Sequence, residues 1–256
     1  MPVSIHYAWL IWSVLLLMVW GLVYLSLRSS ESKREMLLVS LWTSLLGFTE
    51  PLFIPAYWNP PSLFNLALRT RFDLESLLFS FGMGGLAVVV YEWIVPVRHA
   101  LVSPRERHLP RHRFHVFALL SAPLIFIALL AVTRLNPIYA AVLSLIGGGV
   151  AASYCRPDLL RKMVVSAVLF LSLYFFYFLS LVAVFPNYVR LVWNLPAISG
   201  ILILGIPLEE LLFAFTLGFL WSGVYEHLKW QRLTGEVEAR RGMLLGFVEH
   251  AARKGR

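Results

Sequence analysis

Pro207-Leu208-Glu209-Glu210-Leu211-Leu212-Phe213, running on to Val224-Tyr225-Glu226, decides how this chain is read, because the stretch occurs twice. The earlier copy is Asp73-Leu74-Glu75-Ser76-Leu77-Leu78-Phe79, running on to Val90-Tyr91-Glu92. The offset is a constant 134 residues, and the identical pairs include Leu74/Leu208, Glu75/Glu209, Phe79/Phe213, Gly84/Gly218 and Glu92/Glu226. Upstream, Trp58-Asn59-Pro60-Pro61 is echoed by Trp193-Asn194-Leu195-Pro196. Each copy sets carboxylates at the start of a long apolar run. An ionisable side chain is costly in hydrocarbon, so where one occurs it marks a functional site.

Composition fixes the setting. The 256 residues are 59% hydrophobic and only 14% charged, with a mean hydropathy of +0.74. A soluble domain carries roughly 25% charge, so this chain has too little to cover a water-facing surface. Its apolar runs approach the ~20 residues that span a bilayer as a helix, and they do not alternate as barrel strands do. The expected fold is all-α: an integral membrane seven-helix bundle with spans at 6–27, 36–54, 74–95, 114–133, 137–154, 163–185 and 206–227. The first segment lacks a basic flank before its apolar run and is expected to be a retained helix rather than a signal peptide.

Charge sets the orientation. The loops after spans one, three, five and seven hold eighteen Lys and Arg, against four (Arg69, Arg71, Arg134 and Arg190) on the other side. This asymmetry expects the N-terminus outside and the C-terminus in the cytoplasm, in an inner membrane. The copied stretches are then spans three and seven and run in the same direction. The halves are therefore parallel repeats in a 3+1+3 scheme. Residues 1–97 form the first three-helix repeat, 98–136 a basic loop and connector helix, 137–227 the second repeat and 228–256 a cytoplasmic tail. Val237, Leu244, Val248 and Ala251 give the tail one amphipathic stripe. Segment 186–205 has room for an extra helical piece.

Several features bound the chemistry. The single cysteine, Cys155, excludes an intrachain disulfide and reads as packing near a helix end. His99, His108, His112 and His115 crowd the basic loop, but no acidic or thiol partner stands at a ligand-like spacing, so no metal is expected. Gly82-Met83-Gly84-Gly85 lies inside a helix and reads as close helix packing rather than a dinucleotide loop. No cofactor is expected, and the excess positive charge reports membrane topology rather than nucleic-acid binding.

The candidate catalytic residues are Glu209, Glu210, Glu75 and Glu50, all at the outer ends of spans two, three and seven. Residues 209 and 210 diverge by about 100° on a helix, so only one can face inward. The duplication marks Glu209, matched by Glu75, whereas Glu210 is matched by Ser76. Helix N-terminal amides favour the ionised acid, while a dry pocket favours the neutral one. Caps or ion pairs with Arg69, Arg71 or Arg190 are the competing use for these acids, with Asp73 a plain N-cap. Phe79 and Phe213 lie one turn after Glu75 and Glu209 and are candidate pocket walls. Trp58 and Trp193 are substrate-binding candidates or part of an interfacial aromatic belt. Glu92 and Glu226, at the far helix ends, are expected to be interfacial.

Pro207-Leu208-Glu209-Glu210-Leu211-Leu212-Phe213 resembles the P-x-E-E/D-x-x-F signature of the membrane-embedded lycopene cyclase family, and the whole chain looks like a single-chain, two-repeat member. The resemblance implies an isomerase of the intramolecular lyase class, acting in carotenoid biosynthesis. It closes rings on a polyene by acid catalysis without net redox change, with Glu209 and Glu210 as the carried-over acidic pair. The first half departs from the signature, since Asp73-Leu74-Glu75-Ser76 lacks the proline and the second acid. The alternatives are a non-enzymatic isoprenoid- or polyene-binding membrane protein and a proton-coupled carrier. The expected partners are a hydrophobic isoprenoid or carotenoid substrate and membrane lipid, with no nucleic acid and with homo-oligomerisation left open.

Overall fold

The computed structural model describes residues 3–234. Its long helices are α1 (Ala8–Ser26), α2 (Ser30–Ser44), α3 (Leu74–Ile94), α4 (His115–Val132), α5 (Pro137–Cys155), α6 (Leu160–Val184), α7 (Leu208–Trp221) and the short α8 (Val224–Lys229). Among the described residues six helical stretches are long and apolar enough to cross a membrane: Ala8–Ser26, Leu74–Ile94, Pro110–Val132, Pro137–Cys155, Pro157–Val184 and Leu208–Lys229. They make the chain a membrane protein with a mostly helical fold.

The second expected span behaves differently. The Ser29 side chain caps α2 by accepting from Ser32 N–H at 3.4 Å. The helix therefore starts early, and its first turns carry Glu31, Lys33, Arg34 and Glu35. Beyond Ser44 it tightens into a 3-10 segment, Leu45–Leu52, which contains Pro51. Proline has no amide hydrogen and ends regular helical pairing.

Helix packing follows the sequence duplication. Helix α3 packs on α2 and α1, and α7 packs on α6 and α5; α4 lies along α5, while α3 meets both α6 and α7. Small residues permit the close approaches. A Cβ built on Gly218 of α7 would stand 3.0 Å from Ser166 O and 3.1 Å from the Ala167 Cα of α6. Its counterpart Gly84 faces Thr43 of α2.

The end where α3 and α7 finish is held by a buried charge cluster. Lys162 Nζ donates to Glu35 at 3.2 Å, to Glu92 at 2.8 Å and to Glu226. Ser32 adds a hydroxyl bond to Glu92 at 2.5 Å. Glu92 and Glu226, expected at the interface, are instead buried here. Three carboxylates brought together in a dry core need a cation, and Lys162 of α6 supplies it. The His99 Nε2 lies 3.2 Å from Glu92, 3.4 Å from Glu35 and 3.5 Å from Glu226. Burial works against its protonation, but the carboxylates of Glu226, Glu35 and Glu92 outweigh burial and push the imidazole up to about 12.

His99 reaches this cluster from β1 (Arg98–Leu101), which pairs antiparallel with β2 (Gln231–Thr234), Arg98 opposite Thr234 and Leu101 opposite Gln231. The expected helical tail thus begins with a strand. Residues 235–256, with the amphipathic stripe, lie outside the described residues. Segment 186–205 holds only a short helix, Tyr188–Val192, a 3-10 turn, Leu195–Ala197, and a hairpin pairing Leu202–Ile203 with Ile206–Pro207.

Two outcomes follow from the cluster. Lys162→Met leaves three carboxylates buried without their main cation. It should cost about 3–5 kcal/mol, as breaking a buried ion pair does, read as a lower unfolding midpoint in detergent; an unchanged midpoint would contradict this role. His99 is raised above its ordinary 6.5, so its contribution is complete below that pH and is lost as pH climbs towards about 12. The thermal stability advantage of wild type over His99→Gln should therefore shrink between roughly pH 6 and pH 9, whereas parallel profiles would speak against the arrangement.

Candidate active site

Between the two helix sets, at the other end of the bundle, lies a cavity of about 570 Å³. Its wall is overwhelmingly apolar and rich in rings: Trp9 of α1, Phe79 of α3, Phe126 of α4, Phe213 of α7, and Trp58 and Trp193 from the loops. Volumes of about 300–1,000 Å³ are usual for small-molecule sites. Two carboxylates, Glu50 and Glu210, face into it, together with Ser76 and the phenols Tyr57, Tyr174 and Tyr177.

The local fold explains which of the adjacent acids is inside. The hairpin before α7 turns at Gly205, whose φ of +84° suits a residue without a Cβ. Pro207 then enters the helix, leaving Glu209 and Glu210 in its first turn. Glu209 turns back to the preceding loop, where its Oε1 accepts from Ser199 N–H at 2.9 Å, and also from the Tyr139 hydroxyl of α5 at 2.7 Å. Glu75 repeats this in the first half, accepting from Leu63 N–H at 2.7 Å. The duplicated position, expected to be the inward acid, is placed by the structure on the loop side in both halves. Neither Glu75 nor Glu209 lines the cavity; the residue one step further on, Glu210, does.

Glu210 is fixed by three donors from separate segments. Tyr57 Oη donates to Oε1 at 2.6 Å, Trp193 Nε1 to the same oxygen at 3.0 Å, and Tyr174 Oη to Oε2. Hydrogen bonds that converge on a carboxyl group lock its orientation. The loops bearing these donors are themselves joined. Trp58 and Trp193 form an antiparallel bridge, with Asn59 N–H bonded to Val192 O at 2.8 Å and Asn194 N–H to Tyr57 O at 2.9 Å. Their rings lie 5.4 Å apart. These tryptophans were open to a belt reading, but Trp193 is 5% exposed and bonded to the site.

Glu50 is the second cavity acid, and its surroundings are the opposite. Both of its carboxyl oxygens are buried and have no hydrogen-bond partner among the described residues. It sits beside Asp73 and Ser76 at the start of α3. Asp73 caps that helix through Ser76 N–H at 2.5 Å and leaves its second oxygen unpartnered. The cavity thus carries one acid saturated with donors and one starved of them.

Tyr57 and Tyr174 were not singled out by the sequence motifs. Tyr174 lies in the middle of an otherwise apolar helix, and a phenol buried there needs a partner. That need was the one available signal, but it could not name Glu210 across the bundle.

Comparison with known proteins adds one finding. The family model described as Lycopene cyclase matches residues 136–228, the stretch that contains α5 to α7 and most of α8. Neither curated proteins nor solved structures give a significant match. The P-x-E-E motif and its helix start lie inside the matched stretch, which is similar to the lycopene cyclase family, while the cavity is lined from both this stretch and the residues before it.

Proposed function

We propose that this protein is a membrane carotenoid cyclase, closing six-membered rings on the ends of a lycopene-like polyene without net redox change. One observation carries the reading: an apolar, ring-lined cavity holds two buried carboxylates in contrasting states of hydrogen bonding. In this account Glu50, which has no donors, carries the proton. It protonates the terminal double bond, and the cation formed attacks the nearby internal double bond to close the ring. Trp9, Phe79, Trp58 and Phe213 shelter the charge through their ring faces. Glu210, oriented by Tyr57, Tyr174 and Trp193, stabilises the cation and in its carboxylate form takes the departing proton. One proton enters and one leaves, so the product is an isomer and no cofactor is required.

The same account arranges the chain as seven spans in two parallel three-helix repeats joined by α4, with the 3-10 extension completing span two. It sits in the inner membrane with the cavity near the outer face and the Lys162 cluster towards the cytoplasm. The distribution of basic residues supports that orientation. A single cavity between the repeats favours one active site per chain, because Ser76 stands where the second half has Glu210.

The competing reading, a polyene carrier without chemistry, shares the cavity but requires nothing of the acids. Variants separate the two. In a lycopene-producing host, Glu210→Gln should lower ring formation about 10²–10⁴-fold, the range for losing a proton-transfer group, while the purified protein still retains bound polyene. Glu209→Gln should lower thermal stability through its loop bonds yet keep near-normal turnover per folded molecule. Conversion that tracks Glu209 rather than Glu210, or wild type that binds lycopene and leaves it linear beside an active control, would refute the cyclase assignment.

A further inference from the structure

The end of the bundle opposite the cavity brings together side chains that are far apart in sequence. His112 ends the 3-10 turn Pro110–His112 and His115 is the first residue of α4. Cys155 is the last residue of α5. Its Sγ lies 3.4 Å from His112 Nδ1 and 3.6 Å from His115 Nδ1, and the three atoms all fall within 4.8 Å of one another. The sequence offered no thiol near these histidines, and the antiparallel packing of α4 and α5 supplies one. Tetrahedral zinc, with Zn–S near 2.3 Å and Zn–N near 2.0–2.1 Å, sets its sulfur and nitrogen ligands about 3.5 Å apart. The two observed separations bracket that value.

A fourth imidazole stands next to the three. His227 of α8 is 1% exposed, its ring centroid is 4.4 Å from that of His115, and its Nε2 has no partner among the described residues. Buried polar nitrogens are nearly always satisfied, so an orphan beside a His-His-Cys cluster points to a missing ligand. Trp230 stacks on His115 at 3.9 Å and meets His112 edge-on at 5.1 Å, fixing both rings. The nearest cationic side chains do not block the site. Arg156 is tied to Asp158 at 2.7 and 2.9 Å. Arg111 donates to His112 Nε2 at 3.3 Å but is exposed and free to turn away once that nitrogen takes up the proton.

We propose that His112, His115 and Cys155 form a binding site for a borderline-soft divalent cation, Zn²⁺, that staples the start of α4 to the end of α5, with His227 of α8 beside it. Binding displaces the thiol proton, since zinc takes sulfur as thiolate. The site is separate from the cavity chemistry and holds whether or not the chain is a cyclase. Its role is structural: the staple joins the connector helix to the second repeat beside the β1–β2 ribbon.

Co²⁺ is the spectroscopic probe, added to the chelator-washed, tag-free full chain in detergent. One equivalent should give the near-ultraviolet thiolate-to-cobalt band and the visible bands of a tetrahedral site, bleached by Zn²⁺. Cys155→Ser should abolish the thiolate band, and His108→Ala, in the same loop but outside the cluster, should keep it. Because Cys155 is the only cysteine, a second readout needs no variant: Zn²⁺ should slow alkylation of the wild-type thiol by at least about tenfold. A wild-type protein with no thiolate–cobalt band and unchanged alkylation, or a band that survives Cys155→Ser, would overturn the proposal. It would leave the cluster as a plain hydrogen-bond chain from Arg111 through His112 to Cys155.

Discussion

Everything at the cavity depends on holding the Glu210 carboxylate in hydrocarbon surroundings. A buried carboxyl group without hydrogen-bond partners is costly to keep. The donors come from three places: Tyr57 in the loop after span two, Tyr174 in the middle of α6, and Trp193 before the hairpin. Meeting that one need therefore fixes the first-half loop against the second-half loop, and the Trp58–Trp193 bridge is the visible result. The requirement of a single side chain organises the interface between the two repeats.

The duplication has been put to different uses at its two ends. At the far end both copies keep the same acid, and Glu92 and Glu226 share Lys162 with Glu35. At the near end both copies keep Glu75 and Glu209, which tie down the loops before their helices. Only the next position differs, Ser76 against Glu210, and that is the position facing the cavity. What the halves share ties down loops and helix ends; what differs between them lines the cavity. The other acid lining the cavity is Glu50, outside the repeated motif.

Much of this was legible in the sequence. Hydropathy located the long helices other than α2 within a few residues, because a membrane helix must be apolar along its whole length. The duplicated acids pointed to the right end of α7. Duplication does not tell which acid faces the cavity, because the preserved pair, Glu75 and Glu209, bonds the loops before the helices while Glu210 lines the cavity. Glu92 and Glu226 are buried where an interfacial place was expected, because the basic residue that draws them inward, Lys162, reads in the sequence as one more loop charge. Its four-carbon stem and its place in the first turn of α6 put it in the core instead. The Cys155–His cluster was invisible because forty residues separate the thiol from His115 and only the packing of α4 on α5 closes the gap.

In the proposed reaction a proton enters from Glu50 and another leaves to Glu210. Running the reaction with lycopene in D₂O and weighing the product by mass spectrometry tests this directly. The account predicts one solvent deuterium retained in each ring formed, at the carbon protonated first. A cyclised product without solvent deuterium would show that ring closure does not begin with proton transfer from an exchangeable acid, and would contradict the roles given to Glu50 and Glu210.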